Sequence, residues 1–300
     1  MDLQGRKFNI QVAAADLTDR SLIDAATEIA VVAQERGLEI PALAGSVALE
    51  AANSEEAQVD QSDFKETVNN QLDSAFTVYS TLTEQLNVGR SGKEQLQLAD
   101  AETVEAEFKA WFTDEKAEQA TKLMETDPEL RFTLVATPNT LATADEIIDL
   151  AKDFGKGQPY ETYVWSEIYG KYTPEQLSGT DPSNGNAVSF NLVASRFTPE
   201  LEGTVARQRK MLAALQEDSP NLKVPSVLDD IAYWQTLRAQ GEALTGDGTF
   251  DKTYIRHFDL PEKRLDGWDC VLYSYVGDRG WPALYGSDAS YGGSGRVAVG

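Results

Sequence analysis

Apolar residues recur at every third or fourth position across residues 64–86, where Phe64, Val68, Leu72, Ala75, Phe76, Tyr79, Leu82 and Leu86 form one stripe that stops near Gly89. Side chains three and four apart share a helix face, so this spacing predicts a single long amphipathic helix. A second stripe of Val104, Phe108, Trp111, Phe112 and Leu123 predicts helical structure across 100–125. Upstream, Phe8, Ile10 and Val12 alternate as in a half-buried strand, and residues 21–36 read as a helix stopped at Gly37. An Ala-rich helical pattern resumes after Pro41. The acidic run at 55–63 reads as a solvated linker or a helix start.

The texture changes at Leu130. Phe132, Leu134 and Ala136 alternate up to Pro138, which predicts a strand, and Val188, Phe190, Leu192 and Ala194 predict another. Thr143 with Glu146 reads as a capping box that opens a helix ending at Gly155. Thr173, Pro174 and Gln176 mark a second helix start, and Thr198-Pro199 a third, with proline at the first helical position and the helix running to about Gln216. Val227, Ile231, Trp234 and Leu237 predict a helix across 226–240. After the Gly246-Asp247-Gly248 turn, short strands are expected around 254–258, 271–276 and 296–299. The expected fold is α+β, with a mostly helical N-terminal domain at 1–126 and an α+β domain at 127–300 that ends in short strands and loops.

The last segment, 267–300, has an unusual composition. Gly, Tyr, Ser and Asp fill 19 of its 34 positions, and Lys, Glu, Gln, Asn and Met are missing from it. Tyr and Trp supply rigid contact area at low entropic cost, while Gly and Ser supply adaptable backbone and hydrogen bonds, so the mixture suits a binding surface. The charge is lopsided too: the chain carries −23, whereas 251–300, with seven acids and six bases, carries only −1. An acidic body repels nucleic-acid phosphates and anionic membranes, so neither is an expected partner. No stretch approaches the roughly 20 apolar residues that span a bilayer. The N-terminal residues lack a sustained apolar run, and a cytoplasmic location is the default expectation, with association with a particle or surface as the alternative.

Few motifs carry chemistry. One His and one Cys are too few for a structural zinc site, and neither a metal nor any other cofactor is expected. Gly89-Arg90-Ser91-Gly92-Lys93 lacks the spacing of a phosphate loop and reads as a surface turn. Ser62 and Lys65 match an SxxK pattern without its companion motifs. Cys270 with His257 and Asp259 or Asp269 is the one arrangement that could activate a thiolate, although a small buried thiol is the commoner role for such a residue. The carboxylate pairs Asp145/Glu146 and Asp229/Asp230 sit in first helical turns, where the helix dipole explains them. The chain is therefore read as a non-enzymatic protein, with a Cys270-dependent enzyme as the competing reading.

Within 267–300, Val271, Val276, Leu284, Val297, Ala298 and Val299 suit a framework. Tyr273, Tyr275, Asp278, Arg279, Tyr285, Ser287, Asp288, Ser290, Tyr291 and Ser294 suit a surface that meets a ligand. The stretch from TYIRHFDLPEKRLDGWDC at 253–270 through this segment to the closing GRVAVG resembles the variable C-terminus of target proteins of diversity-generating retroelements. That resemblance covers about a sixth of the chain. It implies a C-type-lectin-like framework whose displayed residues are rewritten by adenine-directed mutagenesis. Randomising both adenines of an AAY codon gives NNY codons, which cannot encode Lys, Glu, Gln, Met or Trp, and the ten candidate positions obey this. No EPN or QPD tripeptide is present, so calcium-dependent sugar binding is not implied. The expected partner is another protein, and the alternative role is that of a structural or adhesin component of a phage-like particle.

Overall fold

A computed structural model of the chain describes residues 60–139, 142–154, 163–164, 166–179, 185–195, 198–240, 255–257, 271–276, 282–287 and 293–300. The strand at 7–13, the helix at 21–36, the Ala-rich pattern after Pro41 and the 246–248 turn fall outside them. The described residues are mixed α+β, in agreement with the coarse sequence reading. In chain order the helices are α1 (Gln61–Asn69), α2 (Leu72–Leu86), α3 (Ala101–Trp111), α4 (Asp114–Thr126), α5 (Ala144–Phe154), α6 (Pro174–Ser178), α7 (Val205–Asp218) and α8 (Val227–Ala239). The strands are β1 (Phe132–Pro138), β2 (Tyr163–Val164), β3 (Val188–Ala194), β4 (Thr198–Gly203), β5 (Leu222–Lys223), β6 (Ile255–Arg256), β7 (Val271–Val276), β8 (Pro282–Ser287), β9 (Gly293–Gly295) and β10 (Ala298–Val299).

The stripe at 64–86 belongs to two helices rather than one. The chain breaks at Asn70 and Gln71, and the Gln71 amide is committed elsewhere: Nε2 donates to the Phe132 carbonyl at 3.3 Å, and Oε1 accepts from the Leu134 amide at 2.6 Å. One side chain thus satisfies a donor and an acceptor along the edge of β1 that does not face β3, groups that would otherwise invite pairing with another strand. The stripe at 100–125 is also divided. Asp100 caps α3, and Thr113 caps α4 through the Lys116 amide, so the chain turns at Phe112. A three-four period survives such a break because both pieces pack against the same core.

Strands β1 and β3 pair antiparallel over seven positions, from Phe132↔Ala194 to Pro138↔Val188, in a four-stranded sheet of order β1-β3-β10-β5. Every residue of β1 is buried. The alternation seen in the sequence therefore separates two cores rather than core from solvent. Val135 and Val193 pack with Val78, Leu82, Ile147, Ile148, Ile231 and Trp234. Phe132, Leu134, Ala136, Phe190 and Leu192 pack with Phe64, Val68, Tyr79, Val104, Phe108 and Leu212 on the other side. Glu107 on α3 accepts the backbone amides of Ala187 and Val188, which fixes the start of β3 against that helix. Residues 59–300 form one compact unit, and α2 supplies side chains to both cores.

Local signals elsewhere are mixed. Thr143 and Glu146 exchange backbone-to-side-chain bonds at 2.6 and 3.2 Å at the start of α5, and Arg90 pairs with the same Glu146 carboxylate at 2.6 Å. Thr173 and Gln176 close the second expected box at α6. The third helix start is corrected, because 198–203 is the strand β4 and α7 begins only at Val205, where the Thr204 hydroxyl accepts from the Arg207 amide. Proline at 199 suits the edge of a sheet as well as a helix start, and β4 is an edge strand. Among the described residues, no helix is long and apolar enough to cross a membrane.

Strands β6–β9 join β2 and β4 in a second sheet, of order β2-β8-β7-β6-β9-β4. Strands β8, β7 and β6 are antiparallel neighbours, whereas β2–β8 and β6–β9 are parallel. Strands β8 and β9 were not separated out in the sequence. The chain leaves this sheet at Gly295 and enters the four-stranded sheet at Ala298, so Arg296 and Val297 are the whole connection between the two.

Candidate functional site

Helix α8 organises the region beneath the C-terminal strands. Ser226 is its N-cap, and the cap is reciprocal: the Asp229 amide donates to Ser226 Oγ at 3.1 Å, and the Ser226 amide donates to Asp229 Oδ2 at 2.8 Å. Gly179, at φ +59°, lies against this cap, where an added Cβ would come within 2.9 Å of Ser226 Cβ. The other oxygen of Asp229 accepts from Asn191 Nδ2 at 2.8 Å, which ties α8 to the buried polar position of β3. The Asp229/Asp230 pair does more than complement a helix dipole.

Asp230 is completely buried, as is Arg296, and Arg296 Nη2 donates to Asp230 Oδ1. The guanidinium also stands 4.7 Å from the ring centre of Tyr233, one turn along the same face of α8. His257 approaches the same carboxylate from another segment, with Nε2 3.5 Å from Asp230 Oδ2. Its Nδ1 lies 3.0 Å from the Pro225 carbonyl, and its backbone amide donates to the Leu272 carbonyl. A carbonyl can only accept, so Nδ1 carries the proton in this contact. Nε2 makes no hydrogen bond among the described residues.

Among the described residues, the acidic partner of His257 is Asp230. Its ring nitrogens are directed at Pro225 and Asp230, and the ring is 1% exposed. Cys270, Asp259 and Asp269 lie outside the described residues. A solvent-excluded His–Asp–Arg group is suited to holding segments together. Among the described residues, no group of three or more His, Cys, Asp or Glu side chains is placed to hold a metal ion.

The expected ligand-contacting residues fall on three strands. Tyr273 and Tyr275 are in β7, Tyr285 and Ser287 in β8, and Ser294 in β9. Backbone register sets Tyr273 opposite Tyr285, Val271 opposite Ser287, and Ser294 opposite Ile255. Asp278, Arg279, Asp288, Ser290 and Tyr291 lie outside the described residues. Of the expected framework, Leu284, Val297, Ala298 and Val299 are fully buried, joined by Leu272 and Ala283. Leu272, Leu284 and Ala298 belong to the same core as Val227, Ile231 and Trp234 of α8.

Sequence reads Asp230 only as complementing a helix dipole, and it does not single out Arg296 or Asn191. The signal that could have found Arg296 is an arginine set between Gly295 and the apolar run Val297-Ala298-Val299, a place where a charge needs a buried partner. No protein-family model matches the chain, and neither a curated protein nor a solved structure matches it.

Proposed function

We propose that the protein is a non-enzymatic binder that displays the Tyr-, Gly-, Ser- and Asp-rich side chains of 267–300 to a protein ligand. In this reading the segment is a diversified surface on a C-type-lectin-like framework, as in target proteins of diversity-generating retroelements. The single observation that carries it is the interleaving of two kinds of position. Leu272, Ala283, Leu284, Val297, Ala298 and Val299 are fully buried and fix the strands, while the ten candidate contact positions between them hold residues whose identities obey the NNY restriction. Tyrosine anchors at 273, 275, 285 and 291 supply contact area, and Asp278, Arg279 and Asp288 orient the partner. The near-neutral segment on an acidic body concentrates recognition at that end.

Sequencing the 3′ end of the gene from closely related strains tests this directly. Differences are expected to concentrate in the codons for Tyr273, Tyr275, Asp278, Arg279, Tyr285, Ser287, Asp288, Ser290, Tyr291 and Ser294, with Leu272, Leu284 and Arg296 unchanged. Substitutions spread evenly along the gene, or falling on the buried positions, would remove the basis for a diversified surface.

A further inference from the structure

The ends of the candidate binding segment converge on one side chain. His257 follows β6, Arg296 follows β9, and all ten proposed contact residues lie between them in sequence. Both flanking residues reach Asp230: Arg296 Nη2 donates to Oδ1, and His257 Nε2 stands 3.5 Å from Oδ2. The local strand pairings are short. Ile255 and Arg256 pair with β7 over two positions, β6 meets β9 only at Ile255↔Ser294, and β10 pairs over two positions with each neighbour. Ladders of this length do not hold a register alone, because each residue fixed costs backbone entropy comparable to what one bond returns.

We infer that Asp230 is a positioning residue for the binding segment, a clasp that fixes both of its ends to the start of α8 whatever side chains lie between them. Three features of the surroundings suit it to that task. Its own backbone is fixed by its amide, which donates a hydrogen bond to the Ser226 carbonyl at 3.0 Å. Its neighbour Asp229 is anchored to β3 through Asn191, so the clasp is referenced to the best-paired strands of the molecule. Its two partners approach different oxygens of the carboxylate, so either end can be released without releasing the other. Among the described residues, Asp229 and Asp230 of α8, Arg296 from the connection between the sheets and His257 are the titratable and charged groups the clasp brings together.

The clasp stands on geometry and does not require that the segment be diversified. Its failure is therefore separable from failure of the binding reading, which rests on codon differences between strains. The test is amide hydrogen exchange on the full chain, comparing β7, β8 and β9 with β1 and β3. Asp230→Asn is expected to accelerate exchange across 271–276, 282–287 and 293–295 by about tenfold or more while β1 and β3 keep their protection, because sub-global opening exposes one unit at a time. His257→Gln is expected to loosen 255–257 and 271–276 alone, and Arg296→Lys to loosen 293–299 alone. A purely structural role for the cluster would raise exchange everywhere in proportion. Uniform acceleration in all three variants, or unchanged exchange in β7–β9, would overturn the clasp. If Asp230→Asn does not fold, the separate end-specific effects of the other two variants decide the matter.

Discussion

The two sheets solve the same problem by different physics. In the four-stranded sheet, β1 and β3 pair over seven positions, with apolar side chains packed on both faces, so register and location follow from dispersion and burial. In the C-terminal sheet, β6 and β9 pair over one or two positions with each neighbour, and a buried Asp–Arg pair with a histidine sits where the ladders are thinnest. Nonspecific packing suffices where a strand is long. Where strands are short, a directional, charge-assisted contact defines position at the cost of desolvating two ions.

The sharpest way to break that contrast is at the ion pair. Asp230→Ala removes the carboxylate to which Arg296 donates and is expected to lower the opening free energy of β6–β9 by about 3–5 kcal/mol in amide hydrogen exchange. A loss under about 1 kcal/mol would make the pair incidental to the fold. Next comes the apolar side: Leu134→Ala removes a side chain with no exposed surface and is expected to cost about 3 kcal/mol. Its effect should spread through β1 and β3 in hydrogen exchange, whereas changes at the clasp stay near β6–β9. Thr204→Ala removes the cap of α7 and is expected to cost about 1 kcal/mol. A negligible cost there would return the helix start to the Thr198-Pro199 position.

Lys116 offers a pH test on the apolar side. Its ammonium sits 4.5 Å from the Trp111 ring centre, and desolvation by burial, with repulsion from Lys223, lowers its pKa to about 8 from 10.5. The folded state disfavours the charged amine, so the penalty is fully present below about pH 8 and disappears above 10.5. Stability contributed at this site should rise as pH climbs between those values, where the unfolded chain binds more protons. Lys116→Met should flatten the rise in chemical-denaturation curves, and an unchanged slope would place its origin elsewhere. The smallest effect is expected at the proposed contact residues. Tyr273→Ser and Tyr285→Ser should each change stability by less than about 0.5 kcal/mol if these residues face a ligand rather than a core. A loss of several kcal/mol would assign them to the framework.

Much of the local structure was legible in the sequence because its causes are local. The Thr143–Glu146 and Thr173–Gln176 boxes formed as read, since a cap needs only a hydroxyl and an amide three residues apart. The alternation at 132–136 and 188–194 gave strands for the same reason. What the alternation separated was not legible, because period two looks the same whether the second face meets water or a second helical layer. The breaks at Gln71 and Phe112 were hidden for a related reason: an apolar stripe records which side is buried and not whether the backbone is continuous. The spacing in the sequence places Tyr273 and Tyr275 on a strand, but not Tyr285 and Ser287, whose strand β8 carries no alternation long enough to read. The cross-strand partners of all four come only from register.

Sequence by itself determined where most helices begin, which residues are apolar enough to be core, and that the acidic chain ends in a near-neutral segment of contact-type residues. Tertiary structure decided that both faces of β1 and β3 are covered, that 198–203 is a strand, and that Asp230, His257 and Arg296 meet. The reason is physical. Caps and periodicities arise from interactions within a few residues, whereas a buried carboxylate joined to partners 27 and 66 positions away depends on chain paths that no local spacing encodes.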